Sequence, residues 1–199
     1  MRLRNVAAGD VEAYVRMRCD EAMMAELGGP LPREQVEERL RKDLRLVAED
    51  GAWIKAIVPD GAEDGAAAGV VTLWQGEEDG ATVSEIGWMV LPGFQGRGLA
   101  KAAVRRVLDA AAADGRWGEV HANPGTTNGP SNGICRALGF RLLGERDLGF
   151  GDRVLRTNHW VVTPGQHRRA PDGLGSGNRG SDGLGSGNRG SDGLGSDTD

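Results

Sequence analysis

The stretch that decides the fold is Glu85-Ile-Gly-Trp-Met-Val-Leu-Pro-Gly-Phe-Gln-Gly-Arg-Gly-Leu-Ala100. Residues 86 to 91 are mostly apolar, lack helical periodicity and are followed by Pro92-Gly93, which predicts a buried strand. From Gly98 onward, apolar residues recur at helical spacing as far as Ala111, with charged residues on the opposite side, which predicts an amphipathic helix. The stretch is therefore a strand, a glycine-rich loop and a helix N-terminus.

The glycine-rich loop is suited to binding an anion. The first amides of a helix have no intrahelical acceptor, and the helix dipole favours negative charge there. Glycines allow a phosphate to approach the backbone closely, so we predict a pyrophosphate site. An ordinary tight turn is the alternative that Gly-x-Gly alone would leave open.

Two motifs resemble those of the GNAT-type N-acetyltransferase superfamily. Gln95-Gly-Arg-Gly-Leu-Ala100, preceded by Val90-x-Pro92, is similar to its coenzyme A pyrophosphate loop. Asn128-Gly-Pro-Ser131, followed by Leu138-Gly-Phe140, resembles an element of the subgroup that includes ribosomal-protein N-terminal acetyltransferases. The resemblance covers roughly residues 1 to 163. It implies an enzyme that uses acetyl-CoA to acetylate a primary amine directly, in a ternary complex, on a small molecule or a peptide N-terminus.

The predicted elements follow the order of that fold. The order is a strand, two helices, a three-strand meander, a helix, a strand, a helix and two strands. The predicted ranges are 1–6, a helix from 9–10, 32–48, 53–58, 70–74, 83–90, a helix from 98, 118–122, 131–138, 140–143 and 154–162. The fold class is α/β (α+β), and the resemblance implies a mixed, mostly antiparallel central sheet, splayed in the middle, with helices on both faces.

The chain divides into a predicted domain, residues 1–164, and a predicted disordered tail, residues 165–199. Asp172-Gly-Leu-Gly-Ser-Gly-Asn-Arg-Gly-Ser181 is repeated unchanged from Asp182 to Ser191. One leucine per ten residues cannot form a core, and the glycines raise the entropic cost of order. We therefore expect the tail to be dispensable for stability and catalysis. An interaction tail is the alternative.

Composition narrows the class of partner. The net charge of −5 argues against nucleic acid and suits a cationic substrate. The sequence has no signal peptide and no apolar run long enough to span a membrane, so we expect a cytoplasmic protein without a membrane partner. The two cysteines indicate neither a disulfide framework nor a metal site, and we expect no metal. Whether the chain forms a homodimer stays open.

The resemblance also assigns cofactor contacts. It implies that loop residues hold the pyrophosphate, that strand residues pair with pantetheine, and that two residues of the second motif contact the cofactor arm. By family position the Trp88 amide is the oxyanion donor. The cofactor residues are Trp88, Met89, Val90, Gln95, Gly96, Arg97, Gly98, Leu99, Ala100, Asn128 and Ser131. Helix capping is the alternative role for Asn128 and Ser131.

Several side chains are candidates for proton transfer. Glu85 lies where some relatives place a carboxylate that acts through water. Glu119 and His121 are two apart on a predicted strand, so they are expected to share one face. Cys135 stands where many relatives have a tyrosine that protonates the thiolate, although a buried core thiol is the preferred interpretation.

Two other functions remain as alternatives. A dinucleotide-binding fold also uses strand, glycines and helix, but Gly96-x-Gly98-x-x-Lys101 lacks the third small residue. A non-catalytic acyl-CoA-binding or sensor module keeps every cofactor feature and lacks only the base and the acid, and the missing tyrosine leaves this alternative open. The acceptor amine is not identifiable, but Asp20, Glu21, Glu26 and Glu34 make the expected entrance acidic.

Overall fold

The computed structural model describes residues 1–25, 27–62, 65–78, 80–150 and 153–167, without the side chain of Phe150. Glu26, an expected acidic residue of the substrate entrance, lies outside these ranges, as does the predicted tail from residue 168 onward. Within the described ranges, no helix is both long enough and apolar enough to cross a membrane.

Seven strands and five helices make up the described fold. The strands are β1 Arg2–Asn5, β2 Ala52–Val58, β3 Gly69–Glu78, β4 Ala81–Val90, β5 Val120–Ala122, β6 Arg141–Phe150 and β7 Arg153–Val162. The helices are α1 Val11–Arg18, α2 Glu21–Met24, α3 Arg33–Ala48, α4 Leu99–Asp114 and α5 Gly129–Leu138. The strand order is β1-β2-β3-β4-β5-β7-β6, and all pairs are antiparallel except β4 with β5. The predicted mixed, mostly antiparallel sheet is confirmed.

Two apolar clusters attach helices to opposite faces of the sheet. On one face, α4 and α5 pack through residues such as Val104, Leu108 and Leu138 against sheet residues that include Ile86 and Val120. On the other face, α1 and α3 contribute residues that include Tyr14, Met17, Val36 and Leu40. Because side chains alternate along a strand, β2, β3 and β4 each contribute to both clusters.

The sheet opens between β4 and β5. These parallel strands pair only at Ser84 with Val120 and at Glu85 with His121. β4 continues for five residues to Val90, whereas β5 ends at Ala122. Within the described residues, the second half of β4 has a strand partner only on its β3 side. The gap lies directly before the glycine-rich loop.

Three predicted boundaries were wrong. The segment between the strands predicted at 70–74 and 83–90 is mostly strand, because Glu78 pairs with Ala81 at the end of a long hairpin. β6 extends to Phe150 instead of ending at Leu143, since β7 pairs with it along its length. β5 begins at Val120, not at Gly118, whose φ of 58° does not suit an extended strand. Glu119 therefore lies before β5.

The segment after β7 packs against α4. His167 is 3% exposed, and its Nε2 lies 3.2 Å from Oδ1 of Asp109. The Gly165 amide donates to Nδ1 of the same ring, at 3.3 Å. We therefore propose that the stable domain extends at least to His167, beyond the predicted boundary at residue 164.

We expect a chain ending at Gly165 to melt about 2–4 °C lower than a chain ending at Arg169, because it loses the buried His167 ring, a difference of roughly 1 kcal/mol. The chain ending at Arg169 should have the same melting temperature as the full chain, since the repeats hold almost no apolar surface. Thermal unfolding of the three chains measures this. A lower melting temperature for the chain ending at Arg169 would show that the repeats contribute to stability.

Candidate active site

The loop before α4 is braced from within. Pro92–Phe94 forms one 3-10 turn, and the Gln95 side-chain amide donates to the Val90 carbonyl, at 2.8 Å. Gln95 thus holds the loop against the end of β4. Gly96 and Gly98 both have φ of 73°, a conformation that favours glycine. A Cβ placed on either residue would meet no protein atom within 4 Å, so open space lies over the backbone here.

The start of α4 presents free amides next to this space. The first helical hydrogen bond runs from the Ala102 amide to the Gly98 carbonyl, at 3.0 Å. In the described part of the chain, no backbone carbonyl accepts from the amides of residues 96 to 101. The guanidinium carbon of Arg97 lies 5.4 Å from the centre of the Phe94 ring. Lys101, in the first turn of α4, is exposed. Exposed glycines, free amides and cations fit a pyrophosphate.

The predicted pantetheine contacts lie along the unpaired half of β4. Trp88 is half-buried against the α4 cluster, and Val90 is buried in it. Met89 points to the opposite face and packs against the α1 and α3 cluster. The backbone of these residues has its free edge toward the gap, where an extended chain could pair with it.

Polar side chains gather on the opposite face of the sheet, on the side of α1 and α3. Ile86, Val120, Ala122 and Trp160 all point into the α4 cluster. Strand alternation therefore places Glu85, His121 and His159 together on the other face. Nδ1 of His121 lies 2.6 Å from Nε2 of His159, a hydrogen bond whose direction depends on the tautomers.

His159 and Arg146 were not predicted from the sequence. His159 lies on the strand predicted at 154–162, but the sequence carried no signal of which strand would lie beside it. The Arg146 Nε donates to Oδ1 of Asn123, at 3.0 Å, and its guanidinium forms an ion pair with Glu78. Arg146 therefore ties the β3–β4 hairpin to the loop after β5.

Burial and Arg146 set the charges of this face. Burial raises the pKa of Glu85 above its ordinary value, although the Asn123 amide and Arg146 act in the other direction. The amide nitrogen of Asn123 makes no hydrogen bond of normal geometry to a described residue, yet it lies close enough to the carboxyl to affect this pKa. Burial, and then Arg146, lower the pKa of both His121 and His159. Both imidazoles are therefore neutral at pH 7.

Glu119 and His121 line the same cleft, although the expectation that they share one face of a strand was wrong. Glu119 is exposed and lies just before β5. A solvent-open cleft of about 370 Å³ is lined by both residues, together with Gln75 and Arg116. The cleft opens at the end of the sheet away from the gap.

Asn128, not Ser131, caps α5. The Asn128 side-chain oxygen accepts from the Ser131 amide, at 3.0 Å, so the capping expectation for Ser131 was wrong. Both side chains are half-buried and remain accessible at the start of the helix. The role of each toward the cofactor stays a prediction.

Asn132 holds this helix to the sheet and was not predicted. It is 1% exposed, and its Nδ2 donates to the carbonyls of Gly125 and Asn128, at 2.9 and 2.8 Å. Its Oδ1 accepts from Nδ2 of Asn158 and from Nε1 of Trp160, at 2.8 and 2.9 Å. The side chain thus joins α5 to β7.

We expect Asn132→Leu to lower the free energy of unfolding by at least about 2 kcal/mol, because it leaves buried donors and acceptors of neighbouring residues without partners. Asn132→Asp keeps the oxygen that accepts from Asn158 and Trp160, but it places a second, charged oxygen against the carbonyls of Gly125 and Asn128, so we expect it to lose stability as well. Denaturant unfolding measures both. Equal stability of the leucine variant and the wild type would show that the network contributes little.

Cys135 lies in the α4 cluster with no exposed surface. Burial raises the pKa of its thiol to about 12, so the thiol is neutral at pH 7. This is the environment of a packing residue. Within the described ranges, no group of three or more His, Cys, Asp or Glu side chains could hold a metal ion.

Comparisons with known proteins agree on the fold. Ribosomal-protein-S5-alanine acetyltransferase from Vibrio fischeri is 16% identical, with a TM-score of 0.66 over 84% of this chain and 94% of that one. RimJ from Mycobacterium smegmatis, solved in complex with CoA-disulfide, is 19% identical, with a TM-score of 0.66 over 82% of each chain. A spermidine N-acetyltransferase SpeG chimera from Vibrio cholerae and hSSAT is 17% identical, with a TM-score of 0.65 over 83% and 96%.

At the level of sequence, no curated protein matches the chain significantly. The model of the acetyltransferase (GNAT) domain matches residues 1–141 and so includes β4, the glycine-rich loop and α5. The chain therefore belongs to the GNAT acetyltransferase family.

Proposed function

We propose that this chain transfers the acetyl group of acetyl-CoA directly to a primary amine, with both substrates bound at once. The observation that carries the proposal is the juxtaposition of two backbone features. The open loop with two positive-φ glycines presents free amides, and it directly follows a strand with one unpaired edge. One feature suits a pyrophosphate and the other suits an extended pantetheine arm.

In this proposal the amides of residues 96 to 100 and the Arg97 side chain hold the pyrophosphate. The backbone of Trp88 to Val90 pairs with the pantetheine arm, and Asn128 and Ser131 contact the arm from the start of α5. The thioester supplies an activated acetyl group. The Trp88 amide donates to the oxygen that becomes negative as the amine attacks, and a fixed backbone dipole is effective in this role because it needs no reorganisation.

Glu85 is the group we assign to the first proton transfer. A primary ammonium ion must lose one proton before its nitrogen can attack. Glu85 lies three residues before Trp88, about 10 Å by backbone rise, so it acts through a bridging water. Its burial supports this role, because a raised pKa makes the carboxylate a stronger base than an exposed one.

The acceptor is proposed only by class. Structural relatives are named for spermidine and for an alanine of ribosomal protein S5. Spermidine presents primary amines, and so does a peptide with a free N-terminus. Asp20, Glu21 and Glu34, near α2 and the start of α3, favour a cationic acceptor. Both cysteines are free, which fits the reducing cytoplasm as the setting.

A non-catalytic acyl-CoA-binding module is the second candidate. Its support is Cys135, which stands where relatives have a tyrosine acid but is buried with a thiol pKa of about 12. Coenzyme A is a fair leaving group, so water could supply the proton instead. Binding alone does not separate the two functions, because both require the cofactor site.

The test is a turnover assay with acetyl-CoA and a panel of amines. Spermidine, an aminoglycoside and peptides with a free N-terminal alanine or serine cover the classes, and the release of free thiol reports transfer. Mass spectrometry of the product locates the acetyl group. Binding of acetyl-CoA without turnover of any amine in a wider screen would favour the binding module.

A further inference from the structure

The hydrogen-bonded imidazoles of His121 and His159 run along the sheet from the gap to the open cleft. His121 pairs with Val161, and Ala122 pairs with Trp160. Beyond these pairs the Asn158 amide donates to the Pro124 carbonyl, at 2.9 Å. His159 therefore lies two residues further toward the splayed end than His121.

The two ends of the pair face different surroundings. His159 lies level with the part of β4 that leads to Trp88, where the sheet is open. His121 lines the solvent-open cleft at the other end, together with Glu119. Since Nδ1 of His121 and Nε2 of His159 are bonded to each other, Nε2 of His121 and Nδ1 of His159 are the outer nitrogens.

We propose that His159 and His121 form a proton relay that takes up the second proton of the acceptor amine, the one lost as the amide forms, and delivers it to the cleft. The relay rests on the proposed acetyl transfer. A primary ammonium ion loses two protons on becoming an amide. Glu85 accepts the first proton through water, and the relay accepts the second, so the two bases have different tasks.

The relay conserves protons at each step. In the starting tautomer, Nε2–H of His159 donates to Nδ1 of His121, and Nε2 of His121 carries a proton. Nδ1 of His159 takes the proton of the acetylated nitrogen, the shared proton moves to Nδ1 of His121, and Nε2 of His121 releases its proton to water in the cleft. The reverse sequence resets the pair: His159 gives its Nδ1 proton to the departing thiolate, and His121 recovers a proton from the cleft.

The charged neighbours suit a relay of neutral imidazoles. Arg146 on β6 disfavours a positive charge on either ring, whereas Glu78 on β3 and Glu119 before β5 partly offset it. Glu85 on β4 faces the same side of the sheet. A ring that stays neutral can accept a proton at one nitrogen only by giving one up at the other, which is what a relay requires.

A first experiment tests the hydrogen bond without any substrate. The chain has three histidines, so ¹⁵N NMR of its imidazoles gives few signals to assign. We expect the nitrogen shifts of His121 to change in His159→Gln, and those of His159 to change in His121→Gln. His167→Gln is the matched control, because that ring bonds Asp109 on the other face. Independent signals of His121 and His159 would overturn the relay.

A second experiment tests the relay during turnover, with spermidine or the alanine peptide as acceptor. We expect His121→Gln and His159→Gln each to lower kcat by about 100-fold or more, as for loss of positioned proton transfer, with KM for acetyl-CoA within about twofold. The double variant should be no slower than the slower single variant, because either change breaks the same path. His159→Gln combined with Glu85→Gln should instead multiply the two losses.

The outcomes separate the relay from the proposed function. A wild-type chain that acetylates no amine contradicts the proposed function, and the relay with it. A wild-type chain that acetylates an amine, while folded His159→Gln keeps its rate, contradicts the relay alone. Multiplicative losses in the His121 and His159 double variant also contradict it. Partial recovery of His159→Ala by added imidazole would support a chemical role, because imidazole does not repair a misfolded site.

Discussion

Replacement of Gly98 by glutamate is expected to weaken acetyl-CoA binding by about 100-fold or more in a chain that still folds. A Cβ at Gly98 meets no protein atom within 4 Å, so the new side chain occupies the space assigned to the pyrophosphate. It also places a negative charge beside the free amides at the start of α4. Losing two charge-assisted hydrogen bonds, each worth roughly 1.5 to 3 kcal/mol, corresponds to that factor.

Gly115→Glu is the matched control for this change. Gly115 ends the same helix and has φ of 82°, and a Cβ placed on it would likewise meet no atom within 4 Å. It therefore bears similar backbone strain and the same added charge, away from the loop. Calorimetric titration with acetyl-CoA, and the rise in melting temperature that the ligand produces, measure both variants. Equal affinities of the two variants would contradict the pyrophosphate assignment.

The part of the site that depends on local sequence was predictable. The loop from Gln95 to Ala100 is fixed by neighbours in the chain: a strand before it, a helix after it and glycines at the two positive-φ positions. A short pattern is enough to specify such an element, because the backbone itself forms the binding surface. The order of helices and strands was predictable for a similar reason, since the periodicity of apolar residues is a local property of the sequence.

The part that depends on strand pairing was not predictable. Arg146 contacts the site only because β6 extends along β7, and β6 was expected to end before that residue. His159 meets His121 only because β7 inserts between β5 and β6. A lone histidine on a strand carries no signal of its partner. The error over Glu119 did not involve strand pairing. It was an error in a local boundary, because the start of β5 was predicted two residues too early.

Glu85→Gln is expected to lower turnover by about 100-fold or more at neutral pH, with little change in acetyl-CoA affinity. Positioned proton transfer is worth roughly 10²- to 10⁴-fold, and glutamine keeps the shape of the side chain but cannot accept a proton. Glu77→Gln is the matched control, since Glu77 is an exposed residue of the adjacent strand β3. Steady-state kinetics with the amine identified in the screen measure both variants.

The pH dependence of the wild type gives the same assignment a second readout. Glu85 accepts a proton only when it is ionised, and burial raises its pKa. As the pH falls, activity should therefore already be lost at a pH higher than the ordinary glutamate pKa of about 4.3. Because the pKa values of His121 and His159 are lowered, their protonation should begin to inhibit only below the ordinary histidine value of about 6.5. The pH–rate profile of the Glu85→Gln variant should lack the acidic limb that ionisation of this carboxylate produces.

The size of the Glu85→Gln loss should also depend on the acceptor. Deprotonating a lysine-like amine of pKa about 10.4 at pH 7 costs about 5 kcal/mol, against about 1 kcal/mol for an α-amino group. The variant should recover as the pH approaches the pKa of the amine, since solvent then removes the first proton. If Glu85→Gln turns over normally at pH 7 while Glu119→Gln is inactive, the first base lies beside the cleft. If both turn over normally, the acceptor arrives already deprotonated, which points to a peptide N-terminus instead of a lysine-like side chain.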